Sequence, residues 1–376
     1  MKNYIFIETP LGKMTLAEEN DYITNIAYGE ITLEASCENE TELLYVIRNI
    51  DKIQQYESLN DVKENIEDID IYWGKLVDKM SFDKHFINEN KNHIKRFLLN
   101  NGAELALTYC KGRYDYELAT FKKIVKAELM GQFRKLKYYT DDLHREISFD
   151  LTPQQVGMWQ ANNMTISDGE IVVREYDDFY STMILGELPQ HTCLSYKNGM
   201  YNHCLMACFD SNKKILYAKI GSKIVARAMV RLTKGTYSNN RNNKNKLSFV
   251  DLENMQPDED RNPEKDEYLT IFLEKAYISG LSPIEKNKIK NMFISLLEKK
   301  AVNMNALLVL SNFYSDVASS EYIVTRYYMY ISKSKAGSQY LDSLSGENTV
   351  TEEGQYKTNT FMIWQNQSNE NKNMKG

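Results

Sequence analysis

Residues 213–232 read KKILYAKIGSKIVARAMVRL, two alternating runs separated by Gly-Ser. In the second run Ile224, Ala226, Ala228, Val230 and Leu232 fall on one face and Lys223, Val225, Arg227, Met229 and Arg231 on the other. A period of two that gathers five apolar residues on one side belongs to a strand, because a helix would scatter them around its circumference. The chain must therefore supply a core for a β-hairpin. The face pattern predicts a three-residue loop of Ile220, Gly221 and Ser222, which sets Lys219 opposite Lys223, Tyr217 opposite Val225 and Ile215 opposite Arg227. The second face then reads as solvated and basic. It carries Tyr217, Lys219, Lys223, Arg227 and Arg231, continued by Lys234, Arg241, Lys244 and Lys246 in an Asn-rich loop.

Charge gives this hairpin its functional interest. The 376-residue chain has a formal net charge of -6, so it is not a globally basic nucleic-acid binder. Yet residues 211–250 hold ten Lys or Arg and no acid, and such segregation makes a local field that the net charge conceals. Three destinations for that field stay open. One is a nucleic-acid backbone, with Tyr217 or Tyr237 stacking on a base. Another is an acidic surface, on a protein partner or in the chain's own DLENMQPDEDRNPEKDE segment. The last is water. The expected function is that of a non-catalytic binding protein whose partner is nucleic acid or an acidic protein surface.

The rest of the chain reads as α+β. Its length suits two domains with real cores. YIFIET, MTLAEE and DYITNIAYG predict a small antiparallel meander, and amphipathic helical segments follow, including one over residues 116–139. Together they predict an N-terminal domain over residues 1–142. A mixed α+β domain built around the basic hairpin is expected over 147–346. It opens with the helix start LTPQQ, where Thr152 caps, Pro153 sits at the first helical position and Gln155 closes a capping box. Residues 251–267 read as an acidic linker. Two helices are expected next, EYLTIFLEKAYISG and SPIEKNKIKNMFISLLEKKA, then the strands ALLVLS and EYIVTRYYMYIS. Residues 347–376 read as a polar, disordered tail.

HTCLSYKNGMYNHCLMAC, His191 to Cys208, holds three of the five cysteines. A cysteine-dependent enzyme would use Cys193 as nucleophile with His191 or His203 as base, and Asp177 or Asp178 as orienting carboxylate. A zinc-stabilised module would draw on His191, Cys193, His203, Cys204 and Cys208, although their spacing matches no usual pairing. A buried scaffold explains the thiols without chemistry. Farther on, Asp316 and Asp342 read either as a carboxylate pair or as turn formers.

No phosphate loop, dinucleotide fingerprint, metalloprotease helix, hydrolase elbow or calcium loop occurs, so no cofactor and no metal is assigned. An odd cysteine count without a signal-peptide pattern or an apolar span predicts reduced thiols and a cytoplasmic protein without a membrane segment. The Asn-rich composition suggests a bacterial or phage source. Oligomeric state is not legible in the residues.

Overall fold

A computed structural model of the chain describes residues 3–9, 12–19, 22–28, 72–113, 115–138, 140–161, 164–237, 267–319, 322–341, 344 and 353–364. The class is α+β, and the chain divides into two compact units, Met1–Gln132 and Phe133–Gly376.

The first unit contains the expected meander, β1 (Asn3–Thr9), β2 (Gly12–Glu19) and β3 (Tyr22–Tyr28), paired antiparallel in that order. Its helices are α1 (72–80), α2 (Lys84–Glu89), α3 (Lys91–Leu99), α4 (Gly102–Cys110) and α5 (Asp115–Leu129). The helix expected over 116–139 breaks after Leu129, where Gly131 takes a φ of 65°, a left-handed conformation that favours glycine and ends a helix.

The second unit starts with two short helices, α6 (Phe133–Lys137) and α7 (Thr140–Ile147), followed by α8 (Pro153–Gln160). The expected boundary at 142–147 and the observed division at 132/133 differ by α6 and α7. Both pack inside the second unit, through contacts such as Tyr138 with Asp177 and Glu146 with Ser211. The capping box of Thr152 and Gln155 is present as read.

A nine-stranded sheet dominates this unit. Its strands are β4 (Thr165–Ser167), β5 (Ile171–Tyr176), β6 (Lys213–Ile220), β7 (Lys223–Tyr237), β8 (Tyr268–Leu273), β9 (Tyr277–Ile278), β10 (Leu307–Leu310), β11 (Ile323–Tyr330) and β12 (Tyr356–Trp364). The order is β11-β12-β10-β8-β7-β6-β5-β4, with β9 beside β7 and a further pairing between β11 and the end of β7. That last pairing closes a ring of five strands, β7-β8-β10-β12-β11. Phe272, Leu307, Val309, Tyr327, Met329, Phe361 and Ile363 from these strands form one buried cluster.

Three expectations are corrected here. EYLTIFLEKAYISG is strand, not helix: Tyr268–Leu273 is buried on both faces, which removes the alternation that marks a half-exposed strand. The run SPIEKNKIKNMFISLLEKKA is helical as read and belongs to α10 (Pro283–Met304), opened by a Ser282–Glu285 capping box and closed by Asn305 at φ 51°. β8 and β10 run parallel, so this helix is the crossover between them. Its Ile289, Phe293, Leu296 and Leu297 share a core with Leu216, Ala226, Ala228, Val230 and Ile271. The second correction concerns the tail, because Tyr356–Trp364 is a strand paired with both β10 and β11. Phe361, Met362 and Ile363 offset its ordering by burying apolar surface. The acidic linker falls almost wholly outside the described residues.

The third correction is the hairpin register. The loop has two residues, Gly221 at φ 58° and Ser222, so Ile220 pairs with Lys223 and Lys219 with Ile224. A straight ladder from there would set Tyr217 across from Ala226, on the wrong face. A bulge restores the faces by leaving Val225 as the extra residue, so that Ala218 meets Ala226 and Tyr217 meets Arg227. Val225 then joins the core with Ala226.

Candidate functional site

The face of the hairpin read as solvated is covered. Tyr217 is 1 % exposed, Arg227 2 % and Arg231 2 %. A layer without long helices lies over them: α9 (Phe179–Met183), the loop that follows it, a 3-10 helix over Asn202–Phe209, and residues 332–341. Tyr217 donates its hydroxyl to the Ser181 carbonyl (2.8 Å), and burial holds its phenol protonated. Cys204 reaches the Gln339 carbonyl (3.7 Å). The basic patch is therefore dispersed. Lys219 lies over the Tyr176 ring (5.3 Å) and Lys234 pairs with Glu267 (2.8 Å), while Lys223 is exposed and Arg241 lies outside the described residues.

Burying cations demands partners, and most have them. Arg231 donates from Nε (3.0 Å) and Nη2 (2.9 Å) to Glu274 Oε1, and from Nη1 to Gln339 Oε1 (3.1 Å). Lys213 donates to Asp210 Oδ2 (2.8 Å), Gln339 Oε1 (2.7 Å) and the Ala207 carbonyl (2.5 Å). The Gln339 amide is fixed from its other end by donating to the Ser332 carbonyl (2.8 Å). On the helix-covered side, Lys300 pairs with Glu175 (2.8 Å) and Lys214 with Asp177 (3.4 Å). Asp177 also accepts from the Tyr138 hydroxyl, so it serves that network and not a thiol. Desolvation pulls the Lys214 ammonium down to about 8.

Arg227 is the exception. Its Nη2 donates to Thr192 Oγ1 (3.0 Å) and its guanidinium carbon lies 4.1 Å from the centre of the Tyr277 ring. Its Nε is buried without a hydrogen-bond partner, and no carboxylate pairs with it among the described residues. Burial works against its charged form. Arg227 lines a small pocket together with Lys213, Arg231, Glu274, Lys275, Tyr277, Gln339, Tyr340, Cys204 and Cys208. The pocket is narrow, with a cavity volume of about 20 Å³, and it opens to solvent. Lys213 is balanced by Asp210 and Arg231 by Glu274, which leaves Arg227 and the solvent-exposed Lys275 as the other cations of the wall.

Cys193 stands beside this pocket. Its Sγ is 2.9 Å from the hydroxyl of Tyr340, which also hydrogen-bonds Tyr277. Burial, first of all, keeps the Tyr340 phenol protonated. The loop carrying Cys193 is tightly tied. Thr192 N donates to the Gly186 carbonyl (2.8 Å), Ser195 N to the Thr192 carbonyl (3.0 Å) and Tyr201 N to the Cys193 carbonyl (2.8 Å). Gly186 and Gly199 permit these approaches, since a Cβ on either would sit within 2.6 Å of backbone atoms of residues 193–195.

The remaining members of the cluster separate. His191 Nδ1 faces Glu187 (3.8 Å) and the His203 ring packs against Tyr201 (6.1 Å between centres), and among the described residues the Cys193 sulfur is hydrogen-bonded to Tyr340 and to neither histidine. The expected Cys–His pairing is not assembled. Cys204 and Cys208 are buried, and desolvation pushes their thiols up to about 12 and about 11. Among the described residues no three His, Cys, Asp or Glu side chains gather as a metal cradle. Asp178 caps α9, Asp316 pairs with Lys290 (2.8 Å), and Asp342 lies outside the described residues. Among the described residues no helix is long and apolar enough to cross a membrane.

Thr192, Glu274, Tyr277 and Gln339 had no signal in the sequence. Glu274 and Tyr277 fell in the segment read as helix, and Gln339 carries no pattern at all. Comparison with protein-family models, with curated proteins and with solved structures gives no match.

Proposed function

We propose that the chain is a binding protein for a small ligand bearing a carboxylate or phosphate, with the anionic group seated on Arg227. One observation carries this reading: a guanidinium 2 % exposed, with an unpartnered Nε and no carboxylate bonded to it among the described residues, lines an open pocket. An uncompensated buried charge is costly, and an anion from solution removes that cost. Guanidinium suits the role because its planar fork meets carboxylate and phosphate oxygens with two donors. The nucleic-acid and acidic-protein expectation narrows to the same chemistry. A row of cations tracking a backbone would need Arg227 and Arg231 on the surface, whereas a single phosphate or carboxylate entering the pocket needs only one of them.

Inorganic phosphate is a sufficient probe. At a hundred times its Kd it should stabilise the folded chain by about 2.7 kcal/mol, which thermal unfolding reads as a rise of several degrees over chloride at equal ionic strength. Arg227→Met should lose this rise. In chloride the variant should be at least as stable as the parent, because removing an unpaired buried charge relieves desolvation. An equal phosphate effect in both proteins, or none in the parent, overturns the proposal.

A further inference from the structure

Four cysteines are described, and three of them, Cys110, Cys204 and Cys208, are buried. Cys193 alone among the four is half-buried; the buried Cys204 and Cys208 line the Arg227 pocket, and Cys193 adjoins it through Leu194 and Tyr340. The connection runs along two routes. Arg227 donates to Thr192, the residue next to Cys193, and the Cys193 sulfur contacts Tyr340, which lines the pocket. The loop hydrogen bonds and the two close-packed glycines hold this thiol in one place. The Tyr201 ring lies 5.7 Å from that of Tyr340, which lines the pocket, so an organic group would meet aromatic surface there.

We infer that Cys193 is a nucleophilic thiol that captures small electrophiles carrying a carboxylate or phosphate, with Arg227 holding the anionic group while the sulfur attacks. This rests on the anion-pocket reading and adds the reaction. The thiol releases its proton to water and the sulfur attacks a carbon bearing a displaceable group. An S–C bond forms as the bond to the leaving group breaks, and the leaving group departs with the electron pair. The product is a thioether from an alkyl carbon or a thioester from an acyl carbon, and nothing is oxidised or reduced. Cys193 and Arg227 replace the Cys–His arrangement expected from sequence: the guanidinium supplies orientation.

A pair of alkylating probes of nearly equal size tests this. Iodoacetate carries the carboxylate that Arg227 would seat, and iodoacetamide lacks it. Both place a CH2 on sulfur and release iodide. Native full-length protein is treated with each probe and the modified cysteine is located by mass spectrometry, with Cys193→Ser assigning the product. Cys193 should show an iodoacetate-to-iodoacetamide rate ratio about tenfold above that of free cysteine, equivalent to ~1.4 kcal/mol of guidance. Phosphate should suppress the excess in the parent protein, and Arg227→Met should abolish it. The phosphate competition needs no variant, so it decides the matter even where the substitution impairs folding. A Cys193 ratio equal to that of free cysteine, or no native modification of Cys193, overturns the inference. Phosphate stabilisation accompanied by an ordinary ratio removes the thiol chemistry and keeps the anion pocket. Absence of both removes the pocket as well.

Discussion

Arg231→Met is expected to destabilise the chain by about 3–5 kcal/mol, the usual cost of removing one partner from a buried ion pair. Two of the three hydrogen bonds from Arg231 go to one oxygen of Glu274, whose carboxylate is as buried as the guanidinium. Without Arg231 that carboxylate loses two charge-assisted hydrogen bonds in a low-dielectric site, and Gln339 loses one of its two cationic donors. Urea unfolding should show a lower midpoint at unchanged slope, since the surface exposed on unfolding is the same. Adding Glu274→Leu to Arg231→Met should recover most of the loss, because the stranded charge goes with it. A single variant within 0.5 kcal/mol of the parent would mean that water reaches Glu274 and that this face is not sealed. The contrast with Arg227→Met matters most. Two arginines four residues apart on one strand, equally buried, should respond in opposite directions because only one of them has an acid.

Gly199→Ala is expected to cost about 1–3 kcal/mol or more, as inserted atoms do in a tightly packed site, and to weaken phosphate binding along with it. Its Cβ would stand 2.3 Å from the Cys193 carbonyl oxygen and 2.6 Å from the Ser195 nitrogen. Both are backbone atoms of a loop tied by its own hydrogen bonds, so no side chain can swing aside. Relief requires moving residues 193–195, and Thr192 and Cys193 would move with them. Gly157→Ala is the matched control. It sits inside α8 with nothing within 4 Å of an added Cβ, so it should stabilise by about 0.5–1 kcal/mol. Thermal unfolding with and without phosphate reads both effects. A Gly199→Ala protein as stable and as phosphate-responsive as the parent would show that the Cys193 loop is not held in the described form.

The hairpin, the meander and the Thr152–Gln155 capping box were legible because each rests on a local rule: alternation, turn residues, or a cap with its partner three residues on. What covers the hairpin was not. Alternation separates two faces of a strand, and the apolar set was rightly assigned to the core. The inference that the other face is wet holds only for a sheet with one covered side. Here residues 184–209 and 332–341 supply a layer of short helices and loops with no periodicity to detect, and the buried cations find hydrogen-bond acceptors distant in sequence. Glu274 lies 43 residues from Arg231 and Gln339 lies 126 from Lys213. The bulge at Val225 escaped notice because a longer loop and a shorter loop plus a bulge give the same face pattern. β12 was hidden by its surroundings, since TFMIW is apolar but sits within a tail rich in Asn, Gln and Lys. The Cys–His cluster failed as a unit for a simpler reason. Nearness in sequence does not aim side chains at one another, and here the loop aims Cys193 at Tyr340.

Locating an anion in the crystal decides whether Arg227 holds one. Crystals of the full chain soaked in tungstate, a tetrahedral anion like phosphate, would be measured for anomalous scattering. The expected result is a peak at hydrogen-bonding distance from the Arg227 guanidinium, inside the pocket with Tyr277 and Tyr340, and absent from Arg227→Met. Tungstate bound only at surface lysines, with Arg227 left untouched, would contradict it.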